Sequence, residues 1–204
     1  MILKTKALPL VISVVLLNAV ILFTVRSVSD LRQLTDFAWS EVAALTIFSA
    51  VSLVLVNLVP ASIAERLIFL RIKNFLPGNR AMDIVKSDDR LDFGAVAQMW
   101  PELSEIQQGQ SNAWWYQNVY RPVKDDPGVA SSHFAYLFFR DAFSASLMLG
   151  VGAAIWTLLV GEIDRIQPPS LTAITLVFIV SVLLGVCAGN SGRRMVANSF
   201  GAHL

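Results

Sequence analysis

The sequence has little charge and almost no cysteine, and each shortage excludes a class of protein. Only 15% of its 204 residues are charged, against about 25% in soluble domains, whereas 55% are hydrophobic. This much apolar surface needs lipid to cover it. The formal net charge of +1 gives no indication of the basic face that nucleic-acid binding needs, so we predict no direct nucleic-acid partner. The single cysteine, Cys187, excludes an intrachain disulfide and a cysteine-ligated zinc site, and we interpret it as a small buried apolar residue.

Four long apolar runs without an ionisable side chain predict four transmembrane helices in an all-α membrane protein. A bilayer core about 30 Å thick requires roughly 20 mostly apolar residues in helical conformation. The runs are 8–25 and 42–60, which form one hairpin within 1–60, and 142–160 and 169–189, which form a second hairpin within 137–204 and precede a short tail. The first run exceeds the length of a secretory signal and no clear A-x-A cleavage site follows it, so we expect it to be retained.

The lysines and arginines predict the orientation of these helices. Thirteen of the 16 lie before the first run, between the second and third runs, or after the fourth. Because cytoplasmic segments next to spans carry the excess of positive charge, we predict that both termini and the segment 61–136 are cytoplasmic. Trp39 and Trp156, near the outer ends of their spans, agree with this orientation. The brevity and layout of the chain suggest a bacterial inner membrane.

The segment 61–136 is predicted to be a mostly helical cytoplasmic insert between the second and third spans. Ile63, Leu67 and Leu70 recur at helical spacing, so we expect an amphipathic extension of the second span that ends at the breaker 77–79. A cluster of aromatic residues follows later in the insert. Such residues form either a small core or a candidate partner surface, and the cluster comprises Trp114, Trp115, Tyr116 and Tyr120.

Small residues recur every four positions in the third and fourth spans, where they allow helices to approach closely. The two stripes, which are candidate helix-packing or oligomer-interface residues, are Ser146, Gly150 and Ala154 in the third span and Ser181, Gly185 and Gly189 in the fourth. Either the two helices pack on each other within one chain, or one stripe forms the interface of a homo-oligomer. The sequence leaves both alternatives open.

Two asparagines are the strongest polar side chains at membrane depth. Asn18 lies in the first span and Asn57 near the inner end of the second, where each either bonds a neighbouring helix or lines a path. The absence of ionisable residues from all four runs disfavours a proton-coupled transporter, since such relays need titratable groups in the membrane. A passive pore and a structural bundle remain as alternatives.

The residues that could perform chemistry are few and match no catalytic motif. The only dense group of carboxylates is interleaved with Lys86 and Arg90 and lacks the order of a calcium loop, so we interpret it as a solvated helical face; it comprises Asp83, Asp88, Asp89 and Asp92. His133 has no G-x-S-x-G, P-loop, H-E-x-x-H or C-x-x-C motif beside it. We therefore predict no catalytic residues, no cofactor and no metal.

Several short strings accompany this layout: PGNR at 77–80, DDRLD at 88–92, QNVY at 117–120 and HFAYLFFRD at 133–141. With two spans, a helical insert and two further spans, the chain resembles small bacterial four-helix inner-membrane proteins of the kind encoded in antiphage defence operons. The resemblance lies mainly in the architecture and transfers no site residue. It implies a membrane sensor or effector that oligomerises and acts with a soluble partner.

These observations favour a non-enzymatic, homo-oligomeric membrane component that acts as sensor, scaffold or effector. Its expected partners are the lipid bilayer, further copies of itself and a cytoplasmic protein. One alternative is a pore-forming or depolarising effector, to which Asn18 and Asn57 would contribute lining groups. A second alternative is a membrane enzyme that acts on lipid through His133 and nearby carboxylates.

Overall fold

The computed structural model describes residues 2–25, 50, 54, 60–106, 110–160 and 167–204, and every regular element in this part of the chain is helical. The prediction of an all-α protein is confirmed for these residues. The α-helices are α1 (Ile2–Thr24), α2 (Ala61–Phe69), α3 (Ala81–Ser87), α4 (Phe93–Met99), α5 (Ser111–Trp115), α6 (Pro127–Ile155) and α7 (Leu171–Gly201). Turns of 3-10 helix span Pro77–Arg80, Pro101–Ser104 and Arg121–Val123, and π-helical turns at Tyr116–Tyr120 and Trp156–Val160 prolong α5 and α6.

Three helices among the described residues are long and apolar enough to cross a membrane, which supports an integral membrane protein. The candidate spans lie at Thr5–Thr24 in α1, Pro127–Leu159 in and just beyond α6, and Leu171–Gly201 in α7. They coincide with three of the four predicted spans. The remaining one, 42–60, lies outside the described residues apart from positions 50, 54 and 60.

Two of these helices extend far beyond the apolar runs that predicted them. Helix α6 begins at Pro127 rather than at residue 142, and α7 continues to Gly201 rather than ending at residue 189. Proline fits the first position of a helix because its missing N–H is not needed there, and no proline interrupts either helix further along. Hydropathy indicates the part of a helix that suits lipid, whereas the backbone hydrogen bonds continue through the polar residues beyond it.

The described chain divides into two compact units. Unit 1 comprises Met1–Pro60 and Phe138–Gly185, and unit 2 comprises Ala61–Leu137 and Val186–Leu204. Unit 2 therefore contains the predicted insert and, in addition, the chain from Val186 to Leu204, which includes the tail after the fourth predicted span.

The core of unit 1 is formed by one apolar stripe from each of its three described helices. Helix α1 contributes buried residues at helical spacing, and α6 and α7 contribute mostly alanine and valine, whose small size permits close approach of the backbones. The principal core residues are Val11, Val15, Ala19 and Leu22 of α1, Ala145, Leu149 and Ala153 of α6, and Ala173, Ile174 and Val177 of α7.

The core of unit 2 is assembled from α3 to α5, the start of α6 and the end of α7. Trp115 is 3% exposed, and its indole Nε1 donates a hydrogen bond of 3.0 Å to the Ser199 hydroxyl. The fully buried ring of Phe200 meets Trp100 edge-on, with 5.4 Å between the ring centroids. Since Ser199 and Phe200 belong to the tail, the insert completes its core only with these residues.

Two aspartate caps and one residue with positive φ determine where helices of unit 2 begin and end. The Asp92 carboxylate accepts hydrogen bonds from the backbone N–H groups of Gly94 and Ala95, and Asp126 caps α6 in the same way. Helix α2 ends at Phe69 because Leu70 has a φ of 50°, a conformation that cannot continue a right-handed helix. The prediction that this helix runs on to the breaker at 77–79 was wrong.

Candidate functional site

The aromatic cluster of the insert is divided between the core and the surface of unit 2. Trp115 and Tyr120 are buried, 3% and 5% exposed, so for these two residues the structure favours the core alternative over the partner surface. Tyr116 is 50% exposed and stacks on Tyr120 with 5.2 Å between the centroids, while Trp114 is partly buried against the core. Only Trp114 and Tyr116 remain accessible to a partner.

His133, the residue of the enzyme alternative, is bonded to Tyr120. The Tyr120 hydroxyl shares a short hydrogen bond with Nδ1 of His133, and the two rings meet edge-on with 5.3 Å between their centroids. Burial, with a smaller effect from Tyr116 and Asp125, raises the pKa of Tyr120, so its hydroxyl keeps its proton and can donate to a neutral imidazole. The pair joins the π-helical turn to α6, which is a structural role.

The four aspartates predicted to share a solvated helical face do not lie on one helix, and three of them contact different groups while Asp89 is exposed. Asp83 lies in α3 within 3.6 Å of the Arg80 guanidinium, and Asp92 caps α4. Asp88 accepts two hydrogen bonds from the Arg90 side chain, of 2.9 and 2.7 Å. These bonds lower the pKa of Asp88 against the opposing effect of burial, and the same pairing raises the pKa of Arg90. In the described part of the chain no cluster of histidine, cysteine or carboxylate side chains could hold a metal ion.

A cavity of about 350 Å³ lies between the turn that contains the Asp88–Arg90 pair and α7. We call it the arginine cavity, and its lining consists of Ile84, Ser87, Asp88, Asp89, Arg90, Arg193 and Arg194. Sequence reasoning treated Arg193 and Arg194 only as charges that orient the tail. The sequence does contain a signal for this arrangement: Val196, Ser199, Phe200 and His203 recur at helical spacing. This face of the tail packs into unit 2, and the two arginines precede it in the same helix.

The small-residue stripes of the third and fourth spans are occupied by contacts within the chain. A Cβ atom built on Gly150 would lie 3.3 Å from the Phe178 ring, and one on Gly185 would lie 3.2 Å from the Phe143 ring. Each glycine is thus the hollow that receives an aromatic ring of the other helix. Ser146 and Ser181 are buried, Ala154 is partly buried, and Gly189 faces Ile68 of α2. The contacts favour the intrachain interpretation of both stripes.

The two glycines of the α7 stripe are expected to respond differently to substitution by alanine. At Gly185 the new methyl group would press on the Phe143 ring, whereas at Gly189 the nearest atoms, at 3.9 Å, leave ordinary contact distance. We expect Gly185→Ala to lower the thermal midpoint of the detergent-solubilised protein by a few degrees, through about 1 kcal/mol of overpacking. Gly189→Ala is the matched control and should leave the midpoint unchanged or raise it slightly, since alanine favours helix over glycine. Equal effects of the two variants would contradict the assignment of Gly185 as the packing hollow.

One hydrogen bond between buried polar side chains joins two helices of unit 1. Asn18 is fully buried, and its side-chain amide donates a hydrogen bond of 2.6 Å to the Ser146 hydroxyl, which links α1 to α6. The carbonyl oxygen of the Asn18 side chain is buried without a partner among the described atoms. The contact with Ser146 is the helix-bonding role that the sequence allowed for Asn18. Asn57 lies outside the described residues.

Three further polar or reactive residues lie on α6 and α7: Cys187, Arg140 and Asp141. Cys187 is exposed on α7, so its interpretation as a buried residue was wrong. Arg140 and Asp141, which lie side by side in α6, form an ion pair with 2.9 Å between guanidinium nitrogen and carboxylate oxygen.

A comparison of the chain with protein-family models, with curated proteins and with solved structures finds no match. The assignment of a function therefore depends on the residues and contacts described above.

Proposed function

We propose that this protein is a non-enzymatic, homo-oligomeric component of a bacterial inner membrane that acts as sensor, scaffold or effector with a cytoplasmic protein partner. In this proposal the run 42–60 supplies a fourth transmembrane helix beside α1, α6 and α7. Both termini and unit 2 lie in the cytoplasm, as the distribution of lysine and arginine predicts. The architectural resemblance to membrane proteins of antiphage defence operons suggests that defence is the setting.

The observation that carries the proposal is the continuity of two helices. Helices α6 and α7 each run without a break through residues of both units, over 29 and 31 residues. The same α7 that supplies Val177 to the core of unit 1 supplies Phe200 to the core of unit 2. Both units therefore take core residues from the same two helices. This sharing supports a sensor or effector in which a partner bound to unit 2 acts on helices that also belong to unit 1.

The non-enzymatic part of the proposal is supported by the contacts of the residues that would otherwise suggest chemistry. His133 bonds Tyr120, Asp92 caps a helix and Asp88 binds Arg90. Each contact holds one element of unit 2 in place. Contacts of this kind give these side chains a structural role and do not position them to accept a proton from a substrate.

Assembly in this proposal uses the outer face of α7, because the small-residue stripes are already occupied within the chain. Several large apolar side chains of α7 are exposed, and Cys187 lies on the same face of the helix. The exposed apolar residues are Ile179, Val182, Leu183 and Val186. In a monomer these side chains contact lipid, whereas in an oligomer they contact a second copy.

The proposal is tested by the mass of the complex and by oxidation of its one cysteine. We expect native mass spectrometry of protein extracted directly from membranes to show a discrete oligomer. Treatment of the same membranes with a permeant copper oxidant should convert the chain to a disulfide-linked dimer through Cys187, because each chain has a single cysteine. Cys187→Ser should abolish the cross-link and preserve the oligomer mass.

Two outcomes contradict the proposal at different points. A monomer across a wide range of protein concentration in mild detergent overturns assembly as a whole. An oligomer without a Cys187 cross-link retains assembly and overturns the use of the outer face of α7.

A further inference from the structure

We propose that the arginine cavity binds a singly charged phosphate ester, and that its natural source is the headgroup of an anionic phospholipid of the cytoplasmic leaflet. The volume of about 350 Å³ is within the range of small-ligand sites, which usually measure about 300 to 1,000 Å³. The choice of a phosphate ester follows from the charges of the lining. The choice of lipid as its source rests on the orientation given under the proposed function.

Two of the lining arginines are available to a ligand. Arg193 and Arg194 have exposed side chains that make no ion pair or hydrogen bond with any described residue. Arg90, in contrast, is held by both oxygens of Asp88, so each member of that pair satisfies the other. A guanidinium presents a planar set of N–H donors that matches the oxygens of a phosphate. The free cations of the cavity are therefore of the type that phosphate recognition uses.

The charge balance of the cavity selects the kind of phosphate. Three arginines and two aspartates line it, which gives a formal net charge of +1. Asp88 is neutralised by Arg90, but Asp89 is exposed and has no cationic partner among the described residues. A phosphodiester with one negative charge balances this lining. A doubly charged phosphate monoester would leave excess negative charge beside Asp89, which disfavours it.

The position of the arginines along α7 favours lipid as the source. They follow the predicted end of the fourth span, at residue 189, by four and five residues. At 1.5 Å per residue this places their backbone roughly 6 to 8 Å beyond the hydrocarbon, which is about the thickness of the headgroup layer. In unit 2 the turn of α7 just before the arginines faces α2, where Gly189 lies beside Ile68 and Gly192 beside Phe69. Arginines at this depth attract anionic lipid headgroups.

The test compares lipid binding by the full chain and by two double variants in native mass spectrometry. The probes are phosphatidylglycerol, which has one negative charge, and phosphatidylcholine, which has none. We expect the wild type to bind phosphatidylglycerol in preference to phosphatidylcholine. R193Q/R194Q should bind phosphatidylglycerol about tenfold more weakly, whereas R121Q/K124Q, which removes two exposed charges elsewhere in unit 2, should bind it like the wild type.

Two further measurements distinguish lipid from a soluble phosphodiester as the ligand and test the argument from charge. Glycerophosphoglycerol is the water-soluble headgroup of the same lipid, and we expect it to raise the thermal midpoint less than the lipid does. An equal effect of the soluble headgroup, lost in R193Q/R194Q, would overturn the assignment to lipid and retain the phosphodiester site. Asp89→Asn should strengthen the binding of inorganic phosphate, which carries more negative charge than the diester.

The result that overturns the proposal is an unchanged preference for phosphatidylglycerol in R193Q/R194Q. Since both side chains are exposed, this variant should fold, and its thermal midpoint verifies that it does. The same spectra report the oligomer mass independently of bound lipid. A failure of the lipid site and a failure of the proposed assembly are therefore distinguishable in one experiment.

Discussion

Phe200→Ala is expected to destabilise unit 2 by about 3 to 5 kcal/mol, which is the usual cost of removing a buried aromatic ring. Phe200 is fully buried, and its ring is packed edge-on by Trp100 in a core that Trp115 also shares. The loss leaves a cavity that the two bulky indoles cannot easily fill. For a unit of roughly 100 residues, this corresponds to a fall of the thermal midpoint by about 10 °C or more.

Tryptophan fluorescence of the detergent-solubilised protein measures this effect, because Trp100 and Trp115 lie in the core concerned. Leu204→Ala is the matched control: Leu204 is also an apolar residue of the tail, but it is 54% exposed. The control should leave the midpoint within about 2 °C of the wild type, as surface substitutions usually do. If Phe200→Ala behaved like Leu204→Ala, the tail would not belong to the core of unit 2.

Gly78→Ala is expected to have the second large effect. A Cβ atom on Gly78 would lie 2.5 Å from the Trp115 ring and 2.6 Å from the Asn112 side-chain oxygen. The Trp115 ring cannot withdraw freely, because it is buried and its indole is bonded to Ser199. We expect a loss of about 1 to 3 kcal/mol or more from the free energy of unfolding, and a shift in the fluorescence of Trp115.

Gly201→Ala provides the control for this substitution. Gly201 lies at the end of α7, where an added Cβ would meet only Leu91 at 3.5 Å, which is ordinary contact. The same chemical change should therefore leave the unfolding midpoint nearly unchanged or raise it slightly, since alanine favours helix over glycine. A Gly78→Ala protein as stable as Gly201→Ala would show that the 3-10 turn does not pack against Trp115.

The candidate site was predictable only in part, and particular residues show why. The aromatic cluster was found from composition, yet nothing in its spacing indicated that Trp115 and Tyr120 face the core while Tyr116 faces outward. The break of the helix at Leu70 was missed because a leucine with positive φ has no sequence signal comparable to that of glycine. The arginine cavity was missed because its two sides are separated by about a hundred residues of sequence and are brought together only by folding.

The sequence by itself determined the helical class, the membrane environment and the approximate positions of α1, α6 and α7. These properties depend on local composition, because a run of about 20 apolar residues is stable only in lipid and only as a helix. The tertiary structure alone decided that the tail completes the core of unit 2, that Phe143 and Phe178 fill the glycine hollows, and that Arg193 and Arg194 line a cavity with Asp89. Each of these contacts joins residues far apart in sequence, and packing chooses among many partners of similar hydrophobicity by shape, which no local pattern encodes.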